Sequence, residues 1–362
     1  MNFDILVFCD YFKPGYKAGG PISSIVNLMS VIEDNFLIAV VTRNHDYKSK
    51  KKYLEKDKQF SRKYKIHYCS NYLHLILNCL RPSLIRTKKI YVNSFFSIQY
   101  SLIPLIVFSF FLRKKVFISV RGEFADSAIK NSLKKRIYIK AWRVFFPHSN
   151  YSFIASSPFE ANDIKKYFPH SQVEILSNIG ALRKFGTIDS SLARNQELLR
   201  ICFISRIHPV KNLDFCLRVL KQVNKSYIFD VYGPIDDEIY FEKCLKILPF
   251  NYKNELDPNL IQDTMRNYDL FFLPTKGENF GHIIHESIMS FVPCLISDQT
   301  PWDIIQKYKI GMSYSLDKID NFVNFINNYP DELNLNEKNF YQVHDVIRPD
   351  GLIKDYLKVF SG

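Results

Sequence analysis

The most informative part of the sequence is residues 267–303, which read NYDLFFLPTKGENFGHIIHESIMSFVPCLISDQTPWD. It opens with a short apolar run at 269–274 that ends in a proline, which is typical of a buried parallel strand. A polar loop ends at Gly281, and apolar residues then recur at helical spacing over 282–291. A second short apolar run at 293–297 predicts the next strand. The stretch therefore predicts one strand–loop–helix–strand repeat of an α/β sheet.

The predicted helix start is a candidate anion site. First-turn N–H groups and the positive end of the helix dipole favour phosphate, and Gly281 lets a ligand approach the backbone closely. Two carboxylates bracket this terminus, Glu278 in the loop and Glu286 in the second turn. A helix carboxylate that faces a cleft can accept two hydrogen bonds from a cis-diol, which favours a sugar or a ribose. A hydrolytic acid–base pair and simple helix-terminus electrostatics are the alternatives that the spacing leaves open.

Glu278, seven intervening residues and Glu286, placed after a strand that ends in Pro274, closely resemble the E-x7-E signature of the family-4 retaining glycosyltransferases, which have the GT-B fold. In that family the second glutamate holds the nucleotide ribose and the first contacts the donor sugar. The resemblance implies these roles for Glu286 and Glu278. It also implies that the amides between them contact sugar and phosphate, and these belong to Asn279, Phe280, Gly281, His282 and Ile283.

A second motif follows a predicted strand at 200–204. Arg206 and Lys211 stand five residues apart before a predicted helix, and two such cations can bind both phosphates of a diphosphate. Arginine does so with a planar fork and lysine as a point charge. The pair is similar to the family's Gly-Arg-x4-Lys pattern, with Ser205 in place of the glycine. In the family this pair neutralises the departing diphosphate, so the resemblance implies a catalytic role for both cations.

A glycine loop in the first half separates a predicted strand at 4–8 from a helix that Ser23 or Ser24 is predicted to cap. This is a βα phosphate-binding arrangement, although it is neither G-x-G-x-x-G nor a P-loop. Any tight βα turn uses glycine. The family carries a Gly-Gly here, close to the donor diphosphate and the acceptor, so the resemblance implies donor contacts for Gly19 and Gly20. Lys17 is a candidate acceptor-side cation, with a solvated lysine as the alternative.

Polar residues end the predicted strand at 116–120, in the sequence SVRGEF. Ligands bind at the carboxyl ends of strands in open α/β sheets. Many family members have a histidine near this point, whereas this chain resembles a subgroup with a Pro-Arg-Gly variant. We therefore take Glu123 as a candidate base and Arg121 as a candidate contact to a phosphate or an acceptor anion.

Charge is spread unevenly along the 362 residues. Residues 1–195 hold 31 Lys+Arg and 13 Asp+Glu, whereas residues 196–362 hold 18 and 23. A basic first half favours nucleic acid or an anionic membrane surface as partner. The sequence has no nucleic-acid-binding motif, which favours the membrane, and a solvated basic face is the alternative. The apolar segment 101–112 precedes Arg113-Lys114-Lys115, so it is either a membrane-surface helix or a buried one, and it is too short to span a bilayer.

Other segments give simpler predictions. Seven scattered cysteines without a C-x-x-C pair predict free buried thiols in a reducing compartment and argue against zinc. The first residues do not resemble a signal peptide. Residues 46–65 are polar and lysine-dense, which predicts a mobile loop, and 72–80 and the basic segment 130–143 predict helices. Ser157 and Glu160 predict a capped helix start, and an interdomain linker is expected at about 183–198.

We expect an α/β protein of two Rossmann-like domains facing a cleft, the GT-B fold that the resemblance implies. Residues 1–185 would form the acceptor-side domain, with a C-terminal helix at about 350–362 packing back on it. Residues 196–345 would form the donor-binding domain. A chain of this length that is 47% hydrophobic has enough apolar residues to form a core in each domain.

The resemblance implies a retaining hexosyl- or N-acetylhexosaminyltransferase of the group 1 type, found in bacterial capsule, O-antigen and exopolysaccharide synthesis. It implies a UDP- or GDP-linked sugar as co-substrate, no metal and no cofactor. The expected acceptor is a lipid-linked saccharide or an oligosaccharide, met in the cytoplasm at the inner face of the cytoplasmic membrane, with no nucleic acid as partner. The alternatives are a nucleotide-sugar epimerase of the same fold and a non-catalytic basic protein that binds polyanions.

Overall fold

The computed structural model describes residues 2–54, 64–124, 129, 132–146, 150–180, 185, 198–347 and 349–361. The chain divides into two compact units. The first comprises Met1–Ile179 and Pro349–Gly362, and the second comprises Gly180–Arg348. Each unit is built around its own parallel sheet.

The first unit contains a seven-stranded parallel sheet in the order β3-β2-β1-β4-β5-β6-β7. Its central strands are short, almost wholly apolar and buried, as expected where helices cover both faces of a parallel sheet. The strands are β1 Ile5–Phe8, β2 Ile38–Arg43, β3 Tyr64–Cys69, β4 Lys89–Asn93, β5 Val116–Ser119, β6 Tyr151–Ala155 and β7 Gln172–Ile175.

Helical segments cover both faces of this sheet. They are α1 Gly20–Ile32, α2 Tyr72–Cys79, α3 Pro82–Ile85, the π-helical segments Ile98–Leu102 and Leu105–Phe111, α4 Leu133–Phe145, α5 Pro158–Tyr167 and, after the second unit, α13 Pro349–Ser361. One apolar cluster unites the inner sides of α1 and α13 with the sheet. A separate cluster unites α2, the second π-helical segment, α4 and α5 with the opposite face.

The second unit contains a six-stranded parallel sheet in the order β10-β9-β8-β11-β12-β13. Its strands are β8 Leu199–Ile204, β9 Tyr227–Tyr232, β10 Asn251–Tyr252, β11 Leu270–Leu273, β12 Cys294–Ser297 and β13 Gly311–Tyr314. Its helices are α6 Leu213–Leu220, α7 Glu238–Leu245, α8 Ile261–Met265, α9 His282–Met289, α10 Ile304–Lys307, α11 Ile319–Asn327 and α12 Glu337–Val346, with a short 3₁₀ turn at Pro258–Leu260.

Both sheets reverse their strand order at one place. In the first unit β1 pairs with β2 on one side and with β4 on the other, and in the second β8 pairs with β9 and with β11 in the same way. The chain leaves the two neighbouring strands toward opposite sides at such a point, so a crevice forms outside their carboxyl ends. Each unit therefore has one topologically favoured place for a ligand.

The central stretch folds as predicted into β11, α9 and β12, and the predicted helix at 72–80 and the helix predicted to start at Ser157 are also present. Ser157 accepts a hydrogen bond from the Glu160 amide at 3.2 Å, which confirms the predicted cap. All seven cysteines are buried and free, also as predicted. The predicted linker lies almost wholly outside the described residues, as do Lys130 and residues 55–63 of the predicted polar loop.

Two local predictions were wrong. Helix α1 begins at Gly20 rather than after Ser23 or Ser24, because Gly19 adopts a positive φ of 68° as the N-cap and Pro21 fits the first turn, where its missing N–H is not needed. The predicted loop at 46–65 gives way to β3 at Tyr64, where the chain pairs with β2 through residues Tyr64–Cys69. Hydrogen bonds to β2 at this edge of the sheet stabilise β3 although its sequence is polar.

The apolar segment 101–112 is buried on one side only. Leu105 and Phe108 lie in the core, whereas Phe110 and Phe111 are exposed. The segment is thus buried, as the second alternative predicted, only on its inner side, and its outer side is exposed. In the described part of the chain, no helix combines the length and the hydropathy that crossing a membrane requires.

A buried histidine fixes the packing of α9 in the second unit. The His285 ring stacks at 6.2 Å from Trp302 and at 5.7 Å from His344. Burial, and then the nearby His344, lowers the pKa of His285 from 6.5 to about 3. The ring is therefore neutral and apolar in its packing, and Gly180 lies directly against it.

We expect Gly180→Ala to destabilise the second unit by about 1–3 kcal/mol, because the new Cβ would lie 2.5 Å from Cε1 of a ring that its stacked neighbours hold in place. Thermal unfolding measures the loss. The matched control is Gly351→Ala in α13, where the Cβ meets no atom within 4 Å and helix propensity favours alanine. Equal midpoints for wild type and Gly180→Ala would contradict this account of the packing.

Candidate active site

The loops that follow β8 and β11 lie side by side at the switch point of the second sheet. The side chain of Asn212 donates to the Pro274 carbonyl at 2.9 Å. The Thr275 hydroxyl and the Lys276 amide donate to the Val210 carbonyl at 3.1 and 2.8 Å. Three hydrogen bonds thus hold together two loops that are more than 60 residues apart in sequence.

Lys211 and Glu278 meet where these loops join. The lysine ammonium forms an ion pair with a carboxylate oxygen of Glu278, and the two side chains are only 15% and 20% exposed. The sequence motifs predicted both residues independently, and the structure brings them into contact. A partly desolvated cation and anion at the carboxyl edge of a sheet can bind, respectively, a phosphate and a sugar hydroxyl.

Arg206 reaches a partner that the sequence analysis missed. Its Nη1 donates to Oδ2 of Asp236 at 3.0 Å, while 40% of the arginine side chain stays exposed. The Arg206 loop is fixed by a close backbone approach, because any Cβ at Gly233 would lie 1.9 Å from the Ser205 carbonyl oxygen. The Gly-Pro turn after β9 is the only sequence signal for this contact, and it does not identify the carboxylate.

Two hydrogen bonds with residues that follow β12 anchor the loop before α9. The Glu278 amide donates to the Gln299 carbonyl at 3.0 Å, and the indole N–H of Trp302 donates to the Phe280 carbonyl. Gly281 has a φ of 79°, and a Cβ there would lie 2.9 Å from a methyl of Ile284. Glycine is thus required at this position by both its backbone conformation and its crowding.

The remaining predicted donor residues extend from this loop into α9. Asn279, His282 and Ile283 are partly buried, and the His282 ring lies 4.8 Å from that of Phe280. Glu286 is partly buried in the second turn, and its backbone carbonyl accepts from Ser290. All these residues belong to one short connected segment that ends at the first turns of α9.

In the first unit, Gly19 and Gly20 start α1 beside an anchored loop. Gly19 has open space on its Cβ side. The Asp46 carboxylate accepts from the amides of Tyr16 at 3.0 Å and of Lys17 at 3.3 Å, which holds the loop in place. Lys17 therefore lies beside the start of α1.

Glu123 lies at the carboxyl end of β5 and lines a cavity of about 450 Å³. Its carboxylate accepts from the Ser94 hydroxyl at 2.7 Å and from the Phe95 amide at 2.5 Å. Burial raises the pKa of Glu123 from 4.5 to about 6, although the two hydrogen bonds and Lys135 oppose this rise. A carboxylate of this pKa in a cavity is suited to accept a proton near neutral pH.

The same cavity contains an ion pair that the sequence analysis did not predict. Arg43 donates to Asp10 at 2.7 Å, and its guanidinium lies over the rings of Tyr11 and Tyr100. The remaining lining residues mix hydroxyl, amide, aromatic and apolar groups, namely Tyr72, Ser94, Phe96, Ser97, Ile98 and Gln99. The cavity lies at the carboxyl ends of β1, β2, β4 and β5, around the switch point of the first sheet.

Arg121 has an internal role in the first unit. Its guanidinium donates to the side chains of Asn93 and Tyr91, each at 2.8 Å, and to that of Asn178. Three partners around one guanidinium tie the ends of β4 and β5 to the segment after β7. Arg121 and Glu123 are thus near neighbours in sequence whose side chains bind different partners.

The fold of the chain is of the GT-B class. HepE of Anabaena, solved with UDP and glucose, superposes with a TM-score of 0.74 at 14% identity over 99% of this chain and 100% of that one. WaaG, a glycosyltransferase involved in lipopolysaccharide biosynthesis, superposes with a TM-score of 0.68 at 13% identity over 99% of this chain and 100% of that one. Sucrose-phosphate synthase of Thermosynechococcus elongatus superposes with a TM-score of 0.73 at 11% identity over 99% of this chain and 98% of that one. At such identities the likeness concerns the fold, two Rossmann-like α/β domains.

A comparison with protein-family models finds one match, which lies within the second unit. Residues 185–336, less than half of the chain, match the family model described as Glycosyl transferases group 1. The match includes Arg206, Lys211, Glu278 and Glu286. No match was found among curated protein sequences.

Lys211→Ala is expected to weaken binding of a nucleoside diphosphate by tenfold or more, because a charge-assisted hydrogen bond contributes about 1.5–3 kcal/mol. Isothermal titration of the purified chain with UDP and GDP measures the change. Lys318→Ala, an exposed lysine elsewhere in the same unit, is the matched control and should bind as wild type does. Wild-type affinity in Lys211→Ala would remove this residue from the site.

Proposed function

We propose that the protein is a retaining glycosyltransferase that moves a sugar from a nucleotide-diphosphate sugar to a saccharide acceptor. The observation that carries the proposal is the Lys211–Glu278 pair at the switch point of the second sheet, inside the region that matches the group 1 family. A structural neighbour solved with UDP and glucose supports a nucleotide sugar as the donor. The transferred group is a hexose or an N-acetylhexosamine, and the nucleotide is UDP or GDP.

The second unit supplies the donor chemistry in this proposal. Arg206, Lys211 and the first turn of α9 balance the negative charge that develops on the departing diphosphate. The carboxylate of Glu286 binds the ribose hydroxyls, and Glu278 binds the donor sugar. The scheme requires neither a resident metal nor a cofactor, because protein cations and backbone amides neutralise the leaving group.

The first unit supplies the acceptor chemistry. Its cavity offers carboxylate, guanidinium, hydroxyl and amide groups beside aromatic rings, a combination that suits the polar edges and apolar faces of a sugar. The carboxylate of Glu123 takes the proton of the attacking hydroxyl. The acceptor oxygen then bonds to the anomeric carbon on the face from which the diphosphate departs, so the configuration is retained, and the bond from that carbon to the phosphate oxygen breaks with its electron pair leaving on the diphosphate.

The proposed setting is bacterial surface-polysaccharide synthesis, as in capsule, O-antigen or exopolysaccharide assembly. The acceptor would be a lipid-linked saccharide, used at the inner face of the cytoplasmic membrane by a peripherally bound enzyme. The excess of Lys+Arg in residues 1–195 supports an anionic membrane as partner, and WaaG, which has the same fold, acts in lipopolysaccharide biosynthesis.

The direct test is a thermal-shift screen of the purified chain against UDP, GDP, ADP and CMP and their common sugar conjugates. A ligand that binds only the folded state stabilises it by about 2.7 kcal/mol at about 100 times its Kd. One nucleotide should raise the melting temperature, and its sugar conjugate should then support transfer to a lipid-linked acceptor. The product's anomeric configuration, read by NMR, should match that of the donor.

Two results would refute the proposal. A folded protein whose melting temperature rises with none of these nucleotides would instead fit the polyanion-binding alternative. Conversion of one nucleotide sugar into its epimer without any acceptor would fit the epimerase alternative.

The rate of transfer should fall as the pH drops below about 6. Glu123 must be ionised to accept a proton, and burial raises its pKa to about 6, so each pH unit below that value should cost about tenfold in kcat/KM. Glu123→Gln should lower kcat/KM by about a hundredfold or more and should abolish this acid limb. UDP affinity should stay unchanged in the variant. Glu174→Gln, an exposed glutamate of the same unit, is the control. An acid limb that survives in Glu123→Gln would assign the proton to another group.

A further inference from the structure

Three segments of the first unit form one layer over the same face of its sheet. They are α2, the π-helical segment Leu105–Phe111 and α4, and we call them the helical layer. Their inner side chains share one apolar cluster, to which they contribute Leu75, Cys79, Leu105, Phe108, Ile139 and Trp142. Because all three segments pack inward on this cluster, their other sides point together away from the sheet.

The outer side of the helical layer is unusually apolar. Half of the large apolar side chains that the described residues expose lie within residues 72–145, a fifth of the chain. They come from each segment: Leu73 and Leu77 of α2, Phe110 and Phe111 of the π-helical segment, and Leu133, Ile137, Val144 and Phe145 of α4. Exposed apolar groups at this density mark a surface that binds another apolar phase.

The same layer is strongly basic. Its three segments contain five Lys+Arg, all of them in α4, and no Asp or Glu. Helix α4 has no acidic residue, and Lys134, Arg136, Lys140 and Arg143 are exposed on it. Its partner must therefore be anionic as well as apolar.

We propose that the helical layer docks on an anionic phospholipid bilayer. Its apolar side chains enter the boundary between headgroups and acyl chains, and its lysines and arginines contact the lipid phosphates. A nucleic acid would satisfy the charge but would leave protruding leucine, valine and phenylalanine side chains against sugar and phosphate. An anionic bilayer satisfies both properties, whereas a nucleic acid satisfies only one.

The layer also borders the cavity of Glu123. Tyr72, the first residue of α2, and Ile98 line that cavity and are 54% and 58% exposed. The ammonium of Lys135 in α4 lies 4.8 Å from the ring centre of Phe96, another lining residue. Resting on the function proposed above, this arrangement lets a lipid-linked acceptor place its saccharide in the cavity while its lipid stays in the bilayer.

Sedimentation of the full chain with phosphatidylcholine vesicles, with and without phosphatidylglycerol, tests the docking. The wild type should bind only the anionic vesicles, and added salt should weaken the binding. Lys134→Ala/Lys140→Ala/Arg143→Ala should weaken it by roughly a hundredfold, because each basic residue near an anionic surface contributes about fivefold. Leu73→Ser/Leu77→Ser should weaken it by at least about tenfold through lost apolar burial.

Matched variants of the second unit provide the controls. Lys221→Ala/Lys246→Ala/Lys318→Ala removes three exposed charges and Ile239→Ser removes an 85% exposed apolar side chain, and both should bind vesicles as the wild type does. Wild-type binding by the helical-layer variants, equal binding to neutral vesicles, or tighter binding to RNA than to anionic vesicles would each overturn the proposal. A UDP thermal shift on every variant separates these outcomes from a failure of the donor site or of folding.

Discussion

The ion pair between Lys211 and Glu278 is the contact on which the proposed donor site depends. It joins residues 67 positions apart, and it can form only because β8 and β11 are hydrogen-bonded neighbours with parallel carboxyl ends. Both side chains are largely buried, so each charge would be costly without the other. A diphosphate sugar offers the same compensation, with phosphate oxygens for the lysine and sugar hydroxyls for the glutamate. Pairing in the free protein thus keeps both groups where such a ligand would use them.

The same topological constraint explains the cavity of the first unit. Asp10, Ser94 and Glu123 follow β1, β4 and β5, and Arg43 ends β2, so four separate connections meet where the strand order reverses. Parallel strands expose their carboxyl ends along one edge, and crossovers that leave toward opposite sides keep that edge open. The carboxyl of Glu123 is thereby enclosed enough to raise its pKa to about 6, while hydrogen bonds from Ser94 and Phe95 keep it from rising further.

Local pattern was sufficient to predict the elements that carry the donor motifs. The apolar runs and the helical spacing of 267–303 predict β11, α9 and β12, and the resemblance to family motifs makes Lys211, Glu278 and Glu286 candidate site residues. Partners that come from other strands were not predictable. Asp236 meets Arg206 because β9 lies beside β8, and Arg43 meets Asp10 because β2 lies beside β1. Sequence spacing contains no record of such lateral neighbours, nor of the edge pairing that makes Tyr64–Cys69 a strand.

Helix α4 has one side that packs in the core and one side that belongs to the proposed docking surface. Its inner residues Ile139 and Trp142 are buried with the aromatic core, where the Trp142 ring lies 4.4 Å from that of Phe95. That burial holds the helix on the sheet without help from its outer side, so its outer residues are not constrained by packing. Packing would allow neutral, polar residues on that outer side. The leucine, isoleucine, valine and phenylalanine side chains found there instead expose apolar surface to water, and the neighbouring lysines and arginines repel one another. A partner that is both apolar and anionic relieves both effects together.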